Sequence, residues 1–213
     1  MRGGCAAGRV LAKPDLFEVM DGALVHREVA GRGLYSDSVR VARMPQKFGP
    51  DNGRLTIRTT RQGAAAKAGH DLLIEVGSWE GTLDAEAQPA LTLSADSRSL
   101  RVLEGTGGVK PLNAKDKSSI QQTINDEVLK GCAIEFRSSE VQSTPAGMTV
   151  RGELSLNGRQ GPVAFDLATG GDGRVTGTAK VTQTEFGMKP YSALFGALKL
   201  ADDVHIDIDA TPH

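Results

Sequence analysis

From Lys47 onward the chain is a succession of strand-length segments in which apolar and polar residues alternate, each bounded by a turn signal. Asn52-Gly53, Pro89, Pro145-Ala146-Gly147, Asn157-Gly158, Gly161-Pro162 and Asp172-Gly173 supply the breaks. Between them Cys132, Ile134 and Phe136 fall on one side against Glu135 and Arg137, and Met148, Val150, Leu154 and Leu156 oppose Thr149, Arg151, Glu153 and Ser155. Val163, Phe165 and Leu167 repeat the pattern, as do Val175, Ala179 and Val181, and then Val204, Ile206 and Ile208 against His205, Asp207 and Asp209. Leu55 and Ile57 open the series. A period of two with one greasy side specifies antiparallel strands buried on one face and wet on the other.

Two segments are longer and slip by one residue: Leu72, Ile74 and Val76 are even-numbered but Trp79 and Leu83 odd, and Leu91 and Leu93 give way to Leu100 and Val102. A single-residue slip turns the faces over unless a bulge absorbs it. Gly77 and the Ser97 to Ser99 stretch are the places for that, so both strands are expected to bend sharply. Residues 53–61, 71–84, 90–103, 132–143, 147–157, 162–169, 173–185 and 202–210 then give about eight strands, the number that closes a small antiparallel barrel. A two-sheet sandwich is the competing geometry. One helix interrupts the strands: Asn113 or Asp116 caps it, Ile120, Ile124 and Val128 form its stripe, and Lys130-Gly131 ends it. The turn from Tyr191 to Leu198 behind Pro190, and the small residues from Gly63 to Gly69, are expected near the barrel's opening. Residues 1–46 lack a sustained period and are expected to be a poorly ordered extension; residues 47–211 form the barrel domain.

Composition excludes several functions. Among 213 residues, 25 Lys plus Arg face 26 Asp plus Glu, so the total charge of -1 offers no long-range attraction to nucleic acid or anionic lipid, and partners must be recognised locally. The longest apolar runs fall short of the 18 residues of a membrane span. Cys5 and Cys132 make neither a disulfide framework nor a zinc cluster. The stretch from Met1 to Gly8 lacks the apolar core of a signal peptide, and the expected location is the cytoplasm. Six Phe, two Tyr and one Trp leave Val, Leu, Ile and Ala to line any interior.

Reactive residues are sparse. HExxH, GxSxG and Walker patterns are absent, and the four histidines, His26, His70, His205 and His213, are scattered. His70 beside Asp71 is the best catalytic or metal suspect, against the favoured reading of a hydrogen-bonded histidine at a strand start. His205 falls on the wet face of its strand. Gly105, Gly107 and Gly108 before Lys110 resemble a phosphate cradle, but a strand-to-helix loop needs glycine anyway and the Lys-Ser/Thr end of a P-loop is missing. Lys110, Lys115 and Lys117 form a basic cluster that suits either an anionic head group or a solvated face. No metal and no cofactor is expected.

The apolar faces either fill a core or line a cavity, and volume decides. The inward set includes Ala95, Gly152, Gly177 and Ala179, which occupy little space, so a vacancy is expected. A lining poor in hydrogen-bond donors selects a long hydrocarbon, each buried CH₂ contributing about 0.8 kcal/mol. Alternation assigns Ile134, Phe136, Leu154, Leu156, Phe165 and Val181 to the wall, and Ile120 and Ile124 to a lid. Phe186 has the opposite parity from Val181 and reaches the cavity only if the strand has ended or bulged.

Five blocks in order carry a family resemblance: AGHDL (Ala68 to Leu72), SLRVLEGTGGVKPL (Ser99 to Leu112), IEFRS (Ile134 to Ser138), VRGELSLNG (Val150 to Gly158) and, most distinctive, EFGMKPYSALFGALKLADDV (Glu185 to Val204). Over roughly residues 48–210 the chain resembles the YceI-like family, also called lipid- or polyisoprenoid-binding proteins. That resemblance implies a lipocalin-like barrel whose elongated apolar interior holds a polyisoprenoid or similar amphiphilic lipid, and binding rather than catalysis. Many members of the family are exported. The expected function is to carry or sequester a long-chain isoprenoid; the alternatives are an enzyme acting on a bound lipid through His70 and Asp71, or a scaffold for a protein partner.

Overall fold

The computed structural model describes residues 17–20, 23–26, 45–84 and 89–211. The chain divides between Met44 and Pro45. Of the first unit a short antiparallel hairpin is described, Phe17–Met20 with Ala23–His26. The expectation of a poorly ordered extension over residues 1–46 lies mostly outside the described residues.

The second unit is built on one antiparallel sheet. Its segments are β1 (Gln46–Phe48), β2 (Gly53–Thr59), β3 (His70–Val76), β4 (Trp79–Asp84), β5 (Ala90–Asp96), β6 (Leu100–Gly107), β7 (Ala133–Thr144), β8 (Gly147–Leu156), β9 (Arg159–Thr169), β10 (Val175–Thr182) and β11 (Asp203–Ala210). They are ordered β1-β4-β5-β7-β8-β9-β10-β11-β2-β3-β6.

The two slips in the sequence explain how this sheet curls. β3 and β4 are one run of chain broken at Gly77-Ser78, and β5 and β6 are another broken by a 3₁₀ turn at Ser97–Ser99. Hydrogen bonds carry the ladder through the corner: Gly77 N–H donates to the Ser99 carbonyl at 3.1 Å, Asp96 N–H to the Ser78 carbonyl at 3.0 Å, and Ser78 N–H to Ser99 Oγ at 2.9 Å. The two runs are therefore one long hairpin with a sharp bend. Its β3 half pairs with β2 and its β5 half with β7, which lie at opposite ends of the remaining series, so the sheet returns on itself. Eleven segments thus correspond to eight long strands, two of them broken at the bend, plus the three-residue β1. The bend also restores the buried face: Leu72, Ile74 and Val76 before it, and Trp79 and Leu83 after it, are all buried.

The helix α1 (Ala114–Thr123) starts where two side chains satisfy its free N–H groups. Asn113 Oδ1 accepts from Asp116 N–H at 2.9 Å, and Asp116 Oδ2 accepts from Asn113 N–H at 3.2 Å. Its last turn, Ile124–Val128, widens to π geometry, with Leu129 N–H donating to the Ile124 carbonyl. Lys130 (φ 53°) and Gly131 (φ 67°) then end it in the left-handed region.

On the wet face of β11 the alternating aspartates are individually paired. The Asp207 carboxylate receives Arg58 Nε at 2.5 Å and Nη2 at 2.8 Å, and Thr178 Oγ1 at 2.6 Å. Burial pushes this carboxyl up, but the hydrogen bonds from Arg58 and Thr178 and the guanidinium charge outweigh it and hold it below its ordinary value. Thr182 and then Lys180 depress Asp203, and Arg174 depresses Asp209. A depressed carboxyl contributes stability that is complete above the unfolded value of 3.8 and is lost as pH falls through the native value. In Arg58→Met the burial of Asp207 loses its main counterweight, so acid unfolding followed by circular dichroism is expected to begin at a higher pH than in the parent protein. An unchanged acid midpoint would show the pair to be energetically silent.

Candidate functional site

An apolar cavity of about 460 Å³ lies between the curled sheet and the helix. The sheet supplies Ile57 of β2, Leu72 and Ile74 of β3, Leu100 of β6, Ile134 of β7, Leu154 and Leu156 of β8, Val181 of β10, and Val204 and Ile206 of β11. Ile120, Ile124, Val128 and Leu129 face it from the helical segment. The helix buries none of its side chains fully. Its stripe of Ile120, Ile124 and Val128 is half-buried, packed against the core while also lining the cavity.

Of the residues assigned by alternation, Ile120, Ile124, Ile134, Leu154, Leu156 and Val181 line this cavity, and Phe136, Phe165 and Phe186 do not. The glycines explain the three exceptions. A Cβ on Gly152 would stand 2.7 Å from Phe136 Cζ, and one on Gly161 would stand 3.0 Å from Phe186 Cζ, so these rings occupy the room the glycines leave. Phe136 then packs on Phe165 with ring centroids 5.4 Å apart and planes tilted by 56°. On Gly177 a Cβ would lie 2.6 Å from Leu167 Cδ2. Small inward residues therefore mark where large neighbours fill the barrel, and the vacancy sits elsewhere, under the helix.

Alternation missed Ile57, Leu72, Ile74, Val204 and Ile206, although each belongs to a segment whose apolar face it had identified. It also understated the polar part of the lining. Arg61, His70, Gln183 and Lys199 border the cavity, together with Thr59, Ser119 and Thr123, while no Asp or Glu does. Gln183, at the end of β10, is buried and donates to the Ala201 carbonyl at 2.9 Å.

Three loops form the polar side. Arg61 Nη1 donates to the carbonyls of Gly69 (3.0 Å) and Thr106 (2.8 Å), and its backbone N–H donates to Asp71 Oδ1 at 2.7 Å. His70 Nε2 lies 2.8 Å from the Lys110 carbonyl, so Nε2 carries the proton and donates. His70 and Asp71 thus each hold a backbone group. The glycine-rich loop has a packing reason: Gly107 and Gly108 adopt positive φ, and a Cβ on them would meet Arg61 Nη1 at 1.4 Å and His70 Nε2 at 2.3 Å. The segment after Pro190 joins the same edge, where Ser192–Ala193, Leu198–Leu200 and Arg61–Gln62 make a small three-stranded sheet. Tyr191, Leu198, Ala68 and Gly69 reach the cavity from these loops. Among the described residues no group of three His, Cys, Asp or Glu is placed to hold a metal ion, and no helix is long and apolar enough to cross a membrane.

Solved structures similar to this chain include BcnA of Burkholderia cenocepacia, with 14% identity and a TM-score of 0.48 over 74% of this chain and 94% of that one. A polyisoprenoid binding domain from Saccharophagus degradans aligns at 9% identity and a TM-score of 0.47 over 79% and 98%. The YCEI protein of Campylobacter jejuni aligns at 13% identity and a TM-score of 0.45 over 66% and 84%. No curated protein matches the chain significantly. The family model described as the YceI-like domain matches residues 75–211, from the end of β3 to the end of β11, and on that match the chain belongs to the YceI-like family.

Proposed function

We propose that the protein binds one long-chain isoprenoid or similar amphiphilic lipid in the cavity under the helix and carries or sequesters it, without transforming it. The observation that carries this reading is the wall itself: aliphatic side chains from seven strands and a helix enclose about 460 Å³, with the charged residues Arg61 and Lys199 on the small three-stranded sheet at one edge. That volume lies within the range of sites that hold small organic molecules. A hydrocarbon gains about 0.8 kcal/mol per CH₂ transferred from water to such a wall, so a tail of several isoprene units binds without directional contacts. Arg61, His70 and Lys199 favour a polar or anionic head at the loop end, since no carboxylate borders the cavity to repel it. Binding without turnover is supported by the bonding of His70 Nε2 and Asp71 Oδ1, each engaged in tying loops together.

Native mass spectrometry of protein stripped by organic extraction and then incubated with a prenyl alcohol or a fatty acid tests the proposal. The expected result is a single added mass, preferring the longer chain of a series and displaced by a second apolar ligand. Failure of any long-chain probe to load would overturn it, and conversion of the loaded lipid to a new species would replace binding with catalysis.

A further inference from the structure

Among the described residues, the large apolar side chains that stand exposed are Val109, Tyr191, Leu194 and Phe195; the last three lie on the segment whose Tyr191 and Leu198 line the cavity, and Val109 precedes Lys110, whose carbonyl is bonded by the cavity residue His70. Phe195 is fully exposed. It also holds a costly backbone: Leu194 (φ 51°) and Phe195 (φ 53°) both sit in the left-handed region, which a bulky L-residue rarely adopts. A side chain that contributes nothing to the core is thus kept outward at an energetic cost, the kind of strain that marks a working surface.

Charge within the loop segments of this edge is one-sided. Segments 61–70, 108–115 and 189–200 carry Arg61, Lys67, Lys110, Lys115, Lys189 and Lys199 and no Asp or Glu, in a chain whose total charge is -1. The three segments form one edge: Ala65 N–H donates to the Ala197 carbonyl at 2.9 Å, Lys199 pairs with Gln62, and His70 Nε2 bonds the Lys110 carbonyl. Asp71 and Asp116, which directly follow two of the segments, accept hydrogen bonds from the backbone N–H groups of Arg61 and Asn113.

We propose that this edge docks on an anionic lipid bilayer, with Phe195 and Leu194 entering the boundary between head groups and acyl chains and the lysines meeting lipid phosphates. An apolar tip on an edge whose segments carry lysines and no carboxylate matches an anionic interface in both chemistries at once, whereas a protein partner would need an acidic, apolar counter-surface of matching shape. The cavity edge would then face the bilayer, where an apolar ligand can pass without crossing water. Docking is a property of the outer surface and is read separately from cavity occupancy.

The test is co-sedimentation of the full chain with vesicles of phosphatidylcholine, alone and mixed with phosphatidylglycerol. Binding is expected with the mixed vesicles only and is expected to weaken as salt is raised. Phe195→Asn is expected to reduce vesicle binding about tenfold or more, the change implied by burial of one Phe side chain, yet to melt at the same or a higher temperature, because Asn accepts positive φ. Lys110→Glu with Lys189→Glu is expected to remove the preference for the anionic lipid. Native mass spectrometry of Phe195→Asn is expected to show the same ligand loading as the parent protein. The proposal is overturned if the parent protein stays in solution with both vesicles, if Phe195→Asn binds as well as the parent, or if Phe195 instead supports a concentration-dependent dimer without vesicle binding.

Discussion

Leu154→Trp is expected to cut loading of a prenyl chain by at least about tenfold while the barrel still folds, because the larger side chain grows into open space. Leu154 sits on β8, its side chain 6% exposed and directed at the cavity under the helix. A Trp there displaces ligand volume, and its added surface has an apolar wall to pack on, so the destabilisation is expected to stay below about 1.5 kcal/mol. Leu83 provides the contrast. It is 2% exposed and lies outside the cavity, so Leu83→Trp is expected to destabilise by about 1–3 kcal/mol or more through overpacking. Thermal melts and displacement of a fluorescent fatty acid, measured on both variants, separate loss of site from loss of fold. Equal loading of Leu154→Trp and the parent would move the ligand out of this cavity, and Ile206→Trp, from β11, repeats the test on a second wall.

The alternation that identifies Leu154 also reveals much of the fold, for a physical reason. Side-chain parity is a local property of a strand, so the wet and dry faces of β7, β8 and β11 are legible from Cys132 to Phe136, Met148 to Leu156 and Val204 to Ile208. The slip between Val76 and Trp79 is equally local, and it located the bend that lets the sheet return on itself. Helix limits were legible because caps are side-chain chemistry within a few residues: Asn113 with Asp116 at the start, Lys130-Gly131 at the end. Parity says nothing of where along the barrel's length an inward residue lies. Phe136 and Leu154 are cross-strand neighbours on the same face, yet one fills the barrel and the other borders the vacancy. What separates them is a ring lying over Gly152, a contact set by the register between two strands. The polar edge was hidden for a similar reason, since Arg61, His70 and Lys199 come together through loops remote in sequence.

The largest expected loss of stability is at that same contact. Gly152→Val is expected to destabilise the protein by roughly 3 kcal/mol or more, with a matching loss of soluble yield. A Cβ on residue 152 would stand 2.3 Å from the Arg137 carbonyl oxygen and 2.7 Å from both Phe136 Cζ and Ser138 Cα. Two of those atoms are backbone of β7, beside the irregularity between Ser138 and Glu140, so a rotamer change cannot make room and the strands must separate. Gly158→Ala serves as the control: its φ of +73° imposes strain, but nothing lies within 4 Å of the new methyl group, so only the backbone cost of about 1–2 kcal/mol is expected. Phe136→Leu in the Gly152→Val background removes the ring but not the carbonyl, and is expected to recover only part of the loss. Full recovery would place the conflict in the side chain alone and show that β7 and β8 can give way. Partial recovery means that close backbone approach at Gly152 fixes where Phe136 and Phe165 stack, and so fixes which part of the barrel stays solid and which remains open for a ligand.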